Sequence, residues 1–266
     1  MKRLLWLLPP LLVVLGFFVY PLALVVGESV GAGSWPRVLG SEQFLDSVWR
    51  TVLLAVSATT GCLVLGTFLA LVLAYAPFPG AGFASRLVDA VLAFPSFLIA
   101  LSFTFLYGSA GVLNAVLGQG TLDFLYTPWG VLLAEITFYT PFVLRPALAA
   151  FRQLPTAQLD VAASLGARPW RVLWRVVLPE ARPALAAGAC LTLLLTMNEF
   201  GIVLFIGAKD VVTLPMLVYT LGIVNFDFPR ASVVAVVNVA LSLALYGLYR
   251  WVFTRTGAGR AGLDAA

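Results

Sequence analysis

Histidine is absent from these 266 residues, which removes the commonest general base and metal ligand from consideration. Charge is scarce as well: 11% of residues are charged, against roughly 25% in soluble globular chains, while 61% are hydrophobic. A soluble core of this size could not hide that much apolar surface, so lipid must serve as the solvent. Only two cysteines occur, Cys62 and Cys190, with neither the spacing of a metal site nor a plausible pairing. Both read as small apolar packing residues.

What is present is a series of long uncharged stretches, Leu4 to Gly27, Thr51 to Ser85, Ala90 to Leu122 and Ala231 to Tyr249. Each is near or above the roughly 20 residues needed to cross hydrocarbon. Pro128 to Ala149 and Ala184 to Ile206 are similar, but each holds an acidic residue. The pattern predicts an all-α polytopic membrane protein, one transmembrane domain over 1–266, with spans at about 4–26, 51–76, 87–107, 128–149, 184–206 and 231–251. Pro77 to Gly82 separates the second span from the third. Met1-Lys2-Arg3 and the apolar run after it have the start of a signal peptide. The run is longer than the usual roughly 7–15 residues and no small-x-small cleavage site follows, so an uncleaved first span is expected.

Six spans put both termini on one side of the membrane. With the termini in the cytoplasm, twelve of the sixteen cations lie inside: Lys2, Arg3, Arg86, Arg145, Arg152, Arg168, Arg171, Arg175, Arg182, Arg250, Arg255 and Arg260. Arg37, Arg50, Lys209 and Arg230 remain outside. This bias sets orientation because cationic loops resist translocation. The net charge of +4 therefore reports topology and anionic lipid, and nucleic acid is not an expected partner. No internal repeat, low-complexity tract or soluble domain is visible.

The loop 150–183 is the longest cytoplasmic segment. Thr156 to Leu165 reads as a helix stopping at Gly166, and Pro169 suits the first turn of a second helix that closes before Pro179. Trp170, Leu173, Trp174 and Val177 follow the i, i+3, i+4, i+7 pattern, while Arg168, Arg171 and Arg175 occupy another face. A short amphipathic helix of this kind lies against something, either the bilayer surface or a protein partner.

Asp160-Val161-Ala162-Ala163-Ser164-Leu165-Gly166, nine residues, then Val176-Val177-Leu178-Pro179 resembles the EAA loop of binding-protein-dependent ABC importer permeases. In that family's pattern Glu-Ala-Ala is followed by three residues, Gly, nine residues, Ile, one residue and Leu-Pro. Asp160, Val161 and Val176 depart from it conservatively; Ala162, Gly166, Leu178 and Pro179 match, in the loop between the fourth and fifth spans where the family carries it. The resemblance implies a type I importer permease fold, pairing with a second copy or a paralogue, and a translocation path at that interface. It also implies a cytoplasmic ABC ATPase dimer and an extracytoplasmic solute-binding protein as partners. Asp160, Ala162, Ala163, Gly166, Trp170, Arg171, Leu178 and Pro179 become the ATPase-coupling residues. Because no Gly-rich loop ending in Gly-Lys-Ser/Thr occurs, ATP and magnesium are expected on the separate ATPase. The chain itself is expected to be no enzyme and to bind no cofactor.

Charges inside spans usually face a bundle interior or an aqueous path. Glu135 and Glu199 are the candidates, Glu199 within Asn198-Glu199-Phe200-Gly201. Either Asn198 and Glu199 line or gate the path, with Gly201 lending helix flexibility, or Glu199 makes a packed polar contact with Arg145 or a neighbouring helix. Lys209 and Asp210 occupy the position of an outer loop that reaches toward the binding protein in related permeases. Asn198 to Lys209 with Leu214-Pro215-Met216-Leu217 most resembles permeases for 2-aminoethylphosphonate, within a branch that also carries sulfate or thiosulfate, molybdate, ferric iron and polyamines. A secondary transporter would need paired repeats with broken helices. A membrane enzyme would need a nucleophile, metal cluster or acid/base pair.

Overall fold

The computed structural model of the chain describes residues 9–30, 33–76, 78–118, 120–207 and 211–253. Residues 4–8 of the expected first span, the cations Lys2, Arg3, Lys209, Arg255 and Arg260, and the loop residue Asp210 lie outside them. Among the described residues every regular element is helical. In chain order these are α1 (Pro9–Ser29), α2 (Ser34–Leu39), α3 (Glu42–Tyr75), α4 (Ala81–Leu92), α5 (Ser96–Tyr107) and α6 (Val112–Leu117). They continue with α7 (Pro128–Gln153) and α8 (Thr156–Ser164), α9 (Pro169–Glu180), α10 (Arg182–Met197) and α11 (Leu214–Val224), and α12 (Phe228–Phe253). Among the described residues five helices, or six with the bent pair α9 and α10, are long and apolar enough to cross a membrane.

The described residues form two compact units, one from those within 1–51 and 212–241, the other from those within 52–211 and 242–266. In the first, Val38 of α2 and Phe44 of α3 pack with Leu214, Leu217 and Leu221 of α11 and Val233 and Val234 of α12. The Thr51 hydroxyl of α3 accepts a 2.8 Å hydrogen bond from the Leu214 amide, satisfying one of the unpaired donors at the start of α11.

In the second unit α7 is central. Its most apolar window is 56% buried, more than that of any other candidate span. The neighbours reach it through small residues. A Cβ on Gly66 of α3 would sit 3.0 Å from the Val143 Cβ, and one on Gly188 of α10 would sit 3.0 Å from the Phe142 carbonyl oxygen. Close backbone approach replaces hydrophobic driving force where the surrounding solvent is itself apolar. Cys62 is fully buried on the same face, against Tyr139 and Val143. Its thiol is free, as is that of Cys190.

Three spans depart furthest from the expected ones. The second helix begins at Glu42 rather than 51, because Ser41 caps it, accepting from the Phe44 amide at 3.3 Å. The third, expected over 87–107, is interrupted: α4 ends at Leu92 and α5 starts at Ser96, after Pro95, which can neither donate to a preceding turn nor let Phe94 stay helical. The membrane-length stretch is Ser96–Leu117 instead. The fifth, expected over 184–206, breaks at Asn198 to Phe200 and resumes at Gly201 as a short helix that widens into a π-helical turn, Val203–Gly207.

Candidate functional site: the coupling loop and a buried glutamate

The loop between α7 and α10 is built by local rules. Leu154 and Pro155 leave the helical region at the end of α7, and α8 begins at Thr156. It stops in a double closure: the Ala167 amide bonds to the Ala162 carbonyl at 3.0 Å and the Gly166 amide to the Ala163 carbonyl at 2.9 Å. This Schellman arrangement needs a left-handed residue at Gly166, whose φ is +75°. Ala162 and Ala163 therefore serve through their carbonyls, and Gly166 through its freedom from a Cβ.

No residue of α8 is buried. Asp160 and Ala163 are exposed, Ala162 is half-buried, and two apolar side chains point outward, Val161 at 58% and Leu165 at 82% exposure. Leu165 was not in the predicted coupling set. Helical periodicity over nine residues cannot tell a buried leucine from a presented one.

The second helix differs from its expected form. Rather than closing before Pro179, α9 runs through it to Glu180. A π-helical turn over Leu173–Val177, closed by the Leu178 amide on the Leu173 carbonyl, precedes the proline and absorbs its missing donor. The chain then bends by 65° into α10. Val177 is buried in the cluster containing Leu144, Leu148 and Phe151 of α7, which fastens α9 to the central helix. Trp170 and Trp174 meet edge to face at 5.3 Å, and with Leu178 they line a groove against Leu63 and Phe68 of α3. Arg171 is exposed on the opposite side of the pattern.

Glu199 sits at the break in the fifth span and is 6% exposed. One carboxylate oxygen accepts from the Ile202 amide at 2.8 Å, capping the short helix that follows, and from the Ser96 hydroxyl at 3.1 Å. The other accepts from the Tyr139 hydroxyl. Glu199 thus ties α5, α7 and the start of the following turn together. Ser96 and Tyr139 were missed from sequence because their partner lies 103 and 60 residues away.

Of the two expected partners, the neighbouring helices are the ones found. Arg145 instead pairs with Asp89 of α4 and donates to the Ser85 carbonyl at 2.6 Å. Gly201 is closely packed: a Cβ there would lie 2.9 Å from the Ser96 hydroxyl and 3.3 Å from Phe97. Asn198 is exposed and donates to the Leu194 carbonyl at 2.8 Å. Glu135, one turn before Tyr139 on α7, is 1% exposed, within Coulombic range of Glu199, and has an oxygen without a hydrogen-bond partner. Among the described residues no group of three or more His, Cys, Asp or Glu could hold a metal.

The family described as "Binding-protein-dependent transport system inner membrane component" matches residues 62–257, the loop between α7 and α10 included. The chain belongs to this family. It is an inner-membrane permease of an ABC importer, with the all-α fold of that class. PhnU of Salmonella typhimurium, named as a permease protein of a 2-aminoethylphosphonate transport system, is 48% identical over 97% of this chain and 94% of its own. The sulfate transport system permease protein CysT of Escherichia coli is 32% identical over 80% and 78%. Among solved structures, a bacterial alginate ABC transporter in complex with an alginate-bound periplasmic protein superposes with a TM-score of 0.82 at 22% identity, covering 96% of each chain. The inward-facing MetNI methionine ABC transporter superposes at 0.58 and 20% identity, over 81% of this permease and 96% of that chain.

Proposed function

We propose that this permease forms the translocation path for 2-aminoethylphosphonate or a close phosphonate, delivered by an extracytoplasmic binding protein. The carrying observation is the 48% identity to PhnU over nearly the whole chain, well above the 32% to the sulfate permease. Sulfate is the second reading, on that weaker likeness. ATP and magnesium bind on a separate ABC ATPase dimer, and the permease pairs with a second copy or a paralogue.

In this reading the coupling loop divides its work. Asp160, Val161, Leu165 and Gly166 present the surface that enters the ATPase, with Arg171 beside it. Trp170, Leu178 and Pro179 carry movement through α9 into α7 and α10, as a rigid packed lever. Vesicles holding the whole transporter, with its binding protein and ATP, are expected to accumulate labelled 2-aminoethylphosphonate, and a hundredfold excess of sulfate should not compete. Sulfate accumulation with no phosphonate uptake would reverse the choice.

Both termini and the coupling loop lie in the cytoplasm, on the distribution of arginines. Ser164, exposed at the end of α8, offers a direct check. In Ser164→Cys, a membrane-impermeant maleimide should add one label in inverted vesicles and none in spheroplasts, measured against the unsubstituted chain. Labelling from the outer face would invert the topology.

A further inference from the structure

Between α3 and α9 runs an open groove of about 580 Å³ that the coupling reading leaves unexplained. Leu63, Phe68 and Leu71 form one wall, Trp170, Trp174 and Leu178 the other. Arg182, at the bend between α9 and α10, is the one charged side chain among the described residues lining it. The two indoles are 68% and 54% exposed although they face this apolar slot. Water is a poor occupant of such a surface, since the walls leave it almost nothing to bond.

The bend of 65° carries α9 away from the span axis, as a helix does when it turns toward the membrane plane. Tryptophan settles at that depth, with its ring in the acyl boundary and its N–H toward the headgroups. The charge lining the groove is positive, and the exposed charges along α9 and its bend are four arginines against the single acid Glu180. Arg168, Arg171, Arg175 and Arg182 are all exposed, and none enters an ion pair among the described residues. The occupant that matches is an amphiphile with an apolar tail and an anionic head.

We propose that this groove binds one acyl chain of an anionic phospholipid, stacked along Trp170 and Trp174, with its phosphate held by Arg182. The lipid fills the hinge between α9 and α3 and so braces the lever that the coupling loop drives. The site stands whichever solute the permease carries.

The test uses the whole transporter in phosphatidylcholine nanodiscs containing a minor fraction of brominated phosphatidylglycerol, or the same fraction of brominated phosphatidylcholine. Bromine quenches indole fluorescence on contact, and subtracting a Trp170→Phe/Trp174→Phe variant isolates the groove tryptophans. The anionic quencher should act at about fivefold lower mole fraction than the zwitterionic one, the preference expected from one arginine near a headgroup. Arg182→Gln should bring the two to parity, and Arg182→Lys should keep the preference. Soluble glycerol phosphate at millimolar concentration should leave the preference intact.

Parity in the unsubstituted protein would reduce the groove to ordinary boundary lipid and overturn the proposal. An absence of quenching by either lipid would mean that protein covers the groove, a second permease or the ATPase, and would overturn it as well. Loss of the preference to glycerol phosphate would assign the charge to a soluble anion instead. Should the tryptophan variant fail to insert, mass spectrometry of lipids retained by the unsubstituted complex decides: enrichment of phosphatidylglycerol over its bulk fraction supports the site, and its absence removes it.

Discussion

Gly166→Val is expected to abolish ATP-driven uptake while the permease still inserts and assembles. The substituted Cβ would meet nothing within 4 Å, so the effect is not steric crowding. It comes from the backbone: φ is +75°, a conformation that costs a side-chain-bearing residue about 1–2 kcal/mol and a β-branched one more. The valine relieves that strain by leaving the left-handed region. The hydrogen bonds from Gly166 and Ala167 to Ala163 and Ala162 are then lost, and α8 no longer meets α9 at its present angle. Uptake in vesicles should fall at least tenfold, with ATP hydrolysis uncoupled from the binding protein. Gly166→Asn, which tolerates the left-handed region, should retain a substantial part of the rate. Full uptake by the valine variant, with the complex intact, would refute the coupling role of this turn.

The second large effect belongs to Glu199, and its two variants separate a brace from a gate. Removing the carboxylate in Glu199→Ala leaves the Tyr139 and Ser96 hydroxyls and the Ile202 amide without their acceptor. At roughly 1–3 kcal/mol for each stranded donor, the loss is enough to lower the melting temperature of the purified permease by more than about 5 °C. Glu199→Gln keeps the shape. Its carbonyl still accepts from Ser96 and Ile202, and the Tyr139 hydroxyl can turn to accept from the amide nitrogen. That variant should remain folded and keep most of its uptake. A stable Glu199→Gln protein that transports nothing would instead make the negative charge itself the functional element.

Much of this was open to a reader of the sequence. The scarcity of charge and the long apolar runs require helices in lipid, because a backbone without water must satisfy its own hydrogen bonds and a helix does so within one segment. Gly166, Leu178 and Pro179 at their spacing mark the loop proposed to couple, and the family match spans those residues. The Schellman closure at Gly166 was legible as well, since it depends on residues within six positions of one another.

Other features were beyond reach for a physical reason. Pro95 marks a break in principle, yet hydropathy runs straight through it, and only the packing of α5 shows that the chain restarts at Ser96. Pro179 suggests an end, but whether a helix stops or widens into a π-turn depends on how firmly Val177 is anchored in a neighbouring cluster.

The intramembrane acids draw the same line. That Glu135 and Glu199 must matter follows from the cost of a carboxyl in hydrocarbon, a local property of each residue. Which donors meet Glu199, and that Arg145 turns away to Asp89, depends on contacts between helices far apart in the chain. Local composition settled the solvent and the element type, and it marked the loop proposed to couple. Tertiary structure alone decided partnership, because in lipid it is the close approach of small residues such as Gly66, Gly188 and Gly201, rather than burial from water, that selects which helices touch.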